Sequence, residues 1–187
     1  MATYSSTKKQ AHKDAGPHRK EIRAFLEKIV IDAGVGRLGQ QPNFEDKALP
    51  QVIRDIAAIA GQTPQKRKAK ESIAGFKVRE GQIVGLKLTL RKAKMVDFFE
   101  RLITIVLPRV RDFNGLEHSA VDHGGTLNVG LRDQLVFPEI APEQSPISFG
   151  IGISIVPKVK KNRAKAFEQY KAFGVPMKKE ETAKKKK

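Results

Sequence analysis

The sequence predicts an α+β fold in which helices pack on one face of a largely antiparallel sheet. Apolar and polar residues alternate with the period of a strand over 83–91 and 147–156. Apolar residues recur with the period of a helix over 49–59 and 95–106. Strands and helices do not alternate regularly along the chain, so the pattern favours an antiparallel sheet over a parallel one.

The length of 187 residues suits a single domain with tails. Residues 1–17 are polar and basic, and the chain closes on a lysine-rich run. We therefore expect disordered basic tails at 1–17 and 177–187 around one α+β domain at 18–176. No apolar run is long enough to span a membrane, and the first residues lack the apolar stretch of a secretory signal.

The first element is a short amphipathic segment, HRKEIRAFLEKIVIDAG, which predicts a helix leading into a strand. Gly34, Gly36 and Gly39 follow with the G-x-G-x-x-G spacing of a dinucleotide-binding turn. Such a turn needs a helix to begin at the third glycine, because the helix N–H groups hold the pyrophosphate. The next residues, QQPNFED, are poor helix starters. We expect instead a loop whose glycines allow close approach of another backbone.

The next helix, over 49–59, has Pro50 in its first turn and Gly61 at a position where helices commonly end. The segment 62–80 is basic, and its lack of apolar periodicity predicts an irregular loop. The strand that follows has leucines on one face, and its other face carries two cations and a hydroxyl, Lys87, Thr89 and Arg91.

The second half of the chain continues the mixture of helices and strands. A helix over 94–107 should end or kink at Pro108. Alternating residues predict strands over 127–131 and 147–155. A last helix over 163–173 should pack two aromatic side chains, Phe167 and Tyr170.

The charge points to a polyanionic partner. Thirty-six Lys and Arg face 20 Asp and Glu, which gives a formal net charge of +16. Release of counterions from phosphates drives the binding of such basic proteins, so nucleic acid is the leading candidate. A membrane surface is a weaker alternative, because no segment combines a basic face with a strongly apolar one.

The residue pattern predicts no enzymatic activity, no cofactor site and no metal site. Glu117, His118, Asp122 and His123 lie close together in the sequence, but the histidine spacing fits neither a helix face nor a strand face, so a polar loop is expected. Serines lack the G-x-S-x-G frame of a nucleophile. The chain has no cysteine, which excludes disulfides and thiolate metal sites.

The region 65–94 is the strongest candidate for nucleic-acid contact. It holds ten Lys or Arg against two acidic residues, and Phe76 lies among the cations. The cations fall in a loop and on a strand face rather than along one helix. We expect recognition through shape, phosphate and 2′-hydroxyl groups, because few aromatic residues are patterned for base stacking.

Five ordered blocks resemble the family of large-subunit ribosomal protein five, whose members bind 5S rRNA. The blocks are AGVG, AAIAGQTPQKRKAKESIAGFKVREGQIVGLKLTLR, FFERLITIVLPRVRDFNGL, GTLNVGLRDQLVFPEI and FGIGISIV. They cover 29–156 in order, and the third block is of the bacterial type. The resemblance implies an α+β fold without catalytic activity, bound to ribosomes in the cytoplasm.

The resemblance also implies functional residues. Contacts to 5S rRNA are expected from Gly34, Gly36, Gln62, Thr63, Lys66, Arg67, Lys87, Thr89 and Arg91. A loop near the peptidyl-site tRNA is expected to include Lys70, Ser72, Gly75, Phe76, Lys77 and Arg79. A bridge to small-subunit ribosomal protein thirteen is expected to involve Arg111, Asp112, Asn114, Asn128 and Arg132.

The remaining expected partners are 23S rRNA and neighbouring large-subunit proteins. An RNA chaperone or ribosome assembly factor that does not stay on the ribosome is the alternative. Two features depart from the family pattern. Asp32 stands where many bacterial members have Asn, and a basic tail replaces the usual opening helix.

Overall fold

A computed structural model describes residues 17–40, 44–159 and 162–178. The described chain forms a five-stranded sheet in the order β2-β3-β1-β5-β4, and every neighbouring pair is antiparallel. The strands are β1 Leu26–Gly34, β2 Gln65–Lys68, β3 Ile83–Leu90, β4 Leu127–Leu131 and β5 Ile151–Pro157. The predicted α+β class and the antiparallel sheet are confirmed.

Five helices accompany the sheet within the described residues. They are α1 Pro17–Phe25, α2 Leu49–Ala60, α3 Lys92–Arg101, α4 Leu107–Arg109 and α5 Arg163–Ala172. A π-helical turn, Leu102–Val106, joins α3 to α4 and makes them one continuous helical segment. Pro108 lies near the end of this segment, which stops one residue later at Arg109, as expected for a proline that cannot continue the helix.

One face of the sheet is buried and the other is open. On β1 the side chains of Ile29, Ile31 and Ala33 are at most 1% exposed, whereas Asp32 between them faces outward. The same alternation holds on β4 and β5, and on β3 from Gly85 onward, after a register shift opposite β2. Helices α1 and α3 pack against each other and against β1, so the core lies between these helices and the sheet.

The last helix closes the core beside β4 and β5. Tyr170 is fully buried, and its one hydroxyl hydrogen is shared between the carbonyl oxygens of Gly125 at 2.9 Å and Ile155 at 3.1 Å. Its ring also makes an edge contact with Phe25 at a centroid distance of 5.5 Å. Phe167, the other predicted aromatic, is only partly buried and packs on His118.

Helix α2 follows the predicted pattern closely. Pro50 occupies its first turn, and the apolar face is buried. Gly61 terminates the helix in the left-handed conformation, with φ of 63°, and its N–H donates to the Ala57 carbonyl at 2.8 Å. Gln62 and Thr63, two of the residues expected to contact RNA, follow this termination directly.

Two sequence predictions about strands were wrong. The segment 62–80 is not irregular throughout, because β2 pairs with the edge of β3. The last strand begins at Ile151 and not at 147. Buried Gln134 explains the later start: its Oε1 accepts the Phe149 N–H at 3.0 Å, a bond that replaces sheet pairing there.

The predicted tails fall almost wholly outside the described residues. At the C-terminal boundary the chain still pairs with the domain. Leu116 donates its N–H to Pro176 at 2.8 Å and accepts one from Lys178 at 2.9 Å. The domain therefore includes Met177 and Lys178 as ordered partners of Leu116.

Gly61→Ala should destabilise the domain by about 1 kcal/mol, because an L-residue resists the positive φ that ends α2. Urea unfolding followed by circular dichroism measures the change. Gly34→Ala is the matched control, since Gly34 has no positive φ and a Cβ there meets nothing within 4 Å. Equal losses in the two variants would contradict the role of Gly61.

Candidate nucleic-acid interface

The open face is the side of the sheet that the helices leave uncovered. Residues directly opposite each other on paired strands share a face. Asp32 on β1 therefore lies in one row with Lys87 on β3 and Gly152 on β5. By pairing and alternation the open face consists of Lys28, Val30, Asp32, Gly34, Gln65, Arg67, Gly85, Lys87, Thr89, Arg91, Asn128, Gly130, Gly152, Ser154 and Val156.

The predicted polar face of β3 is confirmed. Lys87 and Thr89 point away from the core, and the leucines that alternate with them, Leu86, Leu88 and Leu90, are buried. Arg91 follows β3 with extended backbone, φ −139° and ψ 164°, and so continues the alternation onto the open face. The structure thus brings two cations and a hydroxyl into one line.

Asp32 lies near the centre of this basic face. Partial burial raises the pKa of its carboxyl above the ordinary value, and the nearby Lys87 ammonium, a smaller effect, lowers it. The carboxylate leans over Gly152, because a Cβ built on that glycine would lie 2.8 Å from Asp32 Oδ2. The side chain is therefore held flat against β5.

The glycine loop after β1 is not a dinucleotide turn. Both neighbours of β1 are antiparallel, whereas the fingerprint belongs to a parallel β-α-β unit. Gly34 is the last residue of β1 and lies opposite Gly85, and a Cβ built on Gly36 would lie 3.8 Å from the Val84 carbonyl oxygen of β3. The loop is fastened to β3, since Val35 donates its N–H to Val84 at 3.0 Å.

The turn after α2 is held by cations from α3. Arg101 donates through Nη2 to the Ile59 carbonyl at 2.6 Å, and Lys94 donates through Nζ to the Gly61 carbonyl at 2.9 Å. Carbonyl groups at the C-terminal end of a helix have no donor within the helix, so these side chains supply one. Their positive charge also interacts favourably with the helix dipole. Gln62 and Thr63 emerge exposed from this fixed turn, next to the start of β2.

The two predicted cations of β2 point in opposite directions. Arg67 lies opposite Gly85 on the open face. Lys66 lies opposite the buried Leu86, so its side chain leaves on the helix side of the sheet edge. Both are exposed because β2 is an edge strand. The structure therefore joins Arg67, but not Lys66, to the row of open-face residues.

The hairpin between β2 and β3 extends the same edge. Ile73 and Val78 pair with each other, and the Glu80 N–H donates to Ser72 Oγ at 2.9 Å. A short turn, Ala74–Phe76, forms the tip. The tip exposes apolar and basic groups together: Phe76 is 71% exposed, and Lys70, Gly75, Lys77 and Arg79 are also exposed.

The structure does not bring all the residues expected at the subunit bridge together. Arg111, Asp112 and Arg132 line one cleft of about 820 Å³, together with Arg109 and Asp133. Asp112 adopts a positive φ of 55° in the loop that forms its rim. Asn128 lies elsewhere, on the open face, where its Oδ1 accepts from Ser154 Oγ at 2.8 Å. Asn114 is exposed and does not line the cleft.

The described residues contain no cluster of His, Asp and Glu able to hold a metal ion. Of the acidic and histidine residues considered from the sequence, Asp122 accepts the Thr126 N–H at 2.7 Å and Glu117 pairs with Lys178 at 3.2 Å. Among all the residues that the structure describes, none of the helices has the length and the apolar character needed to span a membrane.

The fold and the open basic face define an α+β protein of the nucleic-acid-binding class. Family comparison assigns it more narrowly. The family described as "Ribosomal protein L5" matches residues 23–79, and the model of the C-terminus of the same ribosomal protein family matches residues 83–177.

Curated relatives agree, and each is named large ribosomal subunit protein uL5. The relative from Fusobacterium nucleatum is 47% identical over 154 residues, covering 82% of this chain and 81% of its own. The relative from Chlorobaculum tepidum is 42% identical over 82% of this chain and 81% of its own. The relative from Leptospira biflexa is 44% identical over 81% of this chain and 80% of its own. The chain belongs to the ribosomal protein L5 family, and the predicted resemblance is confirmed.

Asp32→Asn should stabilise the free protein at pH 7. The folded-state pKa is raised, so the folded state keeps this proton to a higher pH than the unfolded chain does. The free energy of unfolding therefore falls as pH rises from the ordinary pKa of 3.8 through the folded-state value. The variant should therefore have a higher free energy of unfolding than the wild type at pH 7, and this difference should be absent at pH 3.

Urea unfolding at both pH values measures this gain. Glu168→Gln, which removes an exposed carboxylate from α5, controls for the change in net charge. A variant no more stable than the wild type at pH 7 would show that the folded state does not disfavour the ionised form of the Asp32 side chain.

Proposed function

We propose that this protein binds 5S rRNA on the open face and attaches it in the central protuberance of the large subunit. Membership of the L5 family makes the chain a structural constituent of the large ribosomal subunit rather than an enzyme. It works on the ribosome in the cytoplasm. The open basic face of the sheet is the observation that carries the finer proposal, because it offers cations, hydroxyls and exposed backbone without covering helices.

Electrostatics support RNA as the ligand of this face. Arg67, Lys87 and Arg91 line it, and Gln62 and Thr63 project from the adjacent turn. Such groups contact phosphates and 2′-hydroxyls, the features that distinguish folded RNA by its shape. Gly34 and Gly36 carry no side chains, so the surface at the end of β1 is flat. A flat surface suits a broad ligand better than a small cofactor. Lys66 would meet RNA only from the sheet edge.

The hairpin at the sheet edge supports a second contact, to tRNA in the peptidyl site. Its tip combines an exposed aromatic ring, Phe76, with Lys77 and Arg79. An exposed ring between cations suits stacking on a nucleotide, and the cations suit backbone phosphates. Lys70, Ser72 and Gly75 shape the base of the tip. Contacts with 23S rRNA and neighbouring large-subunit proteins would use other basic surfaces.

The cleft supports the bridge to small-subunit protein thirteen. Arg111 and Arg132 lie on its rim with Asp112, above partly buried apolar side chains. Mixed charges around an apolar floor are typical of a protein interface rather than an RNA one. Asn114 lies close by in the chain, whereas Asn128 belongs to the open face and would contribute to RNA contact.

An RNA chaperone or assembly factor is the alternative function. Co-sedimentation with large subunits at high salt distinguishes a ribosomal protein from such a factor.

The proposal predicts preferential binding of 5S rRNA over a length-matched control RNA in a filter-binding assay. Lys87→Ala and Arg91→Ala should each weaken binding by about 1 kcal/mol or more and reduce the salt slope by about one. Lys171→Ala, on the outer side of α5, is the matched control. Absence of any preference for 5S rRNA by the wild type would refute the proposed function.

Lys77→Ala and Arg79→Ala should leave 5S rRNA binding within about twofold, because the hairpin tip lies beyond the open face. The same variants should weaken tRNA binding to the peptidyl site of reconstituted ribosomes. Filter binding of 5S rRNA and of tRNA measures the two effects separately. A comparable loss of 5S rRNA binding would contradict this division between the sheet and the hairpin.

A further inference from the structure

Four polar side chains lie in the core and form one hydrogen-bond network between α2 and the segment 134–149. They are Gln51 and Asp55 on α2 and Gln134 and Ser145 on the segment, and each is at most 6% exposed. Ser145 Oγ joins them, because it donates to Asp55 Oδ2 and accepts from the Gln51 and Gln134 amides at 2.9 and 3.1 Å. Apolar residues of similar volume would fill this space without the cost of burying polar groups. Stability alone therefore does not explain the network.

The Gln51 amide has more acceptors within reach than it has hydrogens. Its Nε2 lies 2.9 Å from Ser145 Oγ, 3.3 Å from Asp55 Oδ2 and 3.2 Å from the Ile147 carbonyl oxygen. An amide carries only two hydrogens. With one hydrogen on Ser145, the other bonds either Asp55, one turn further along the same helix, or Ile147 on the neighbouring segment. The first arrangement closes α2 on itself, and the second fastens α2 to the segment.

The segment 134–149 forms part of one wall of the cleft. The Gln134 side chain donates to the Ile147 carbonyl at 2.8 Å and accepts the Phe149 N–H at 3.0 Å, so it joins both ends of the segment. The Gln134 carbonyl accepts the Phe137 N–H at 3.1 Å and closes the turn Gln134–Val136, two residues of which line the cleft. A change in how firmly the segment is held therefore reaches the cleft wall.

The other end of α2 leads into the turn with Gln62 and Thr63, and a second tie joins this end to the same segment. Arg101 donates to the Ile59 carbonyl at 2.6 Å and pairs with Glu139 at 2.6 Å. Within the described residues, Arg101 Nε and Glu139 Oε2 are buried without a hydrogen-bond partner. The pair thus makes one bond where a fork of two is possible, and a small shift of α2 changes how well it is satisfied.

We propose that this polar network is a switch that couples the RNA-binding end of α2 to the cleft wall. RNA on Gln62 and Thr63 fixes α2 in the position in which Gln51 bonds Ile147 and holds the segment firmly. Without RNA the amide divides its second hydrogen between Asp55 and Ile147, and the segment is held less firmly. The inference rests on the proposed function, which supplies RNA as the ligand of the turn. Gln51 is a positioning residue here, because it touches neither ligand.

Amide hydrogen exchange with and without 5S rRNA tests the switch, because two backbone N–H groups of the segment report on it. Saturating 5S rRNA should slow exchange of the Phe149 and Phe137 amides at least about fivefold, the lower end of ordinary coupling between sites. The Gly174 amide, which donates to the Lys171 carbonyl at 3.0 Å just after α5, should exchange equally in both states.

Gln51→Leu separates coupling from direct protection by RNA. The variant removes the amide that has two arrangements and keeps the bonds of Gln134. It should bind 5S rRNA within about fivefold of the wild type, while bound RNA no longer slows exchange of the Phe149 amide. Gln144→Leu, the same substitution at an exposed position of the segment, should keep the wild-type response.

Two outcomes would overturn the inference. Unchanged exchange of Phe149 and Phe137 in the wild type saturated with 5S rRNA would show that the sites are not coupled, and this result needs no variant. A wild-type response in Gln51→Leu would show that its amide is not the switch. Both results are obtained with 5S rRNA bound. They therefore differ from failure of the proposed function, in which the wild-type chain would not prefer 5S rRNA to a control RNA.

Discussion

The structure depends on the pairing of β1 between β3 and β5, with one face of β1 in the core. Ile29 and Ile31 are almost completely buried there, and each contributes about 1.5–3 kcal/mol by leaving water. A slip of one residue would expose both and bury the Asp32 carboxylate, at a cost of several kcal/mol. The register is therefore determined by the core, and the chemistry of the open face follows from it.

This constraint connects the core to the site. Once β1 is in register, pairing brings Lys87 opposite Asp32 and Gly85 opposite Gly34. The other groups are held by α3, because Arg101 and Lys94 fix the end of α2 from which Gln62 and Thr63 emerge. Arg101 is itself anchored by a 2.6 Å ion pair with Glu139 and by the ring of Phe98. The proposed interface thus lies on paired strands and a helix end and not on loops alone.

Much of this could be predicted from periodicity, and the rest could not, for physical reasons. The polar face of β3 and the termination of α2 at Gly61 follow from local patterns. Strand β2 escaped prediction because its residues, QKRK, have no apolar alternation and gain their order from pairing with β3. The pairing of Gly130 with Gly152 on the open face was not predicted, because alternation identifies strands but not which strands are neighbours. The opposite directions of Lys66 and Arg67 likewise depend on register.

If RNA covers the open face and leaves the helical side free, lysine acetylation read by mass spectrometry should differ between the two sides of the protein. 5S rRNA should protect Lys28 and Lys87 on the open face, while Lys165 and Lys171 on α5 react equally with and without it. Protection of the α5 lysines with undiminished reaction of Lys87 would contradict it.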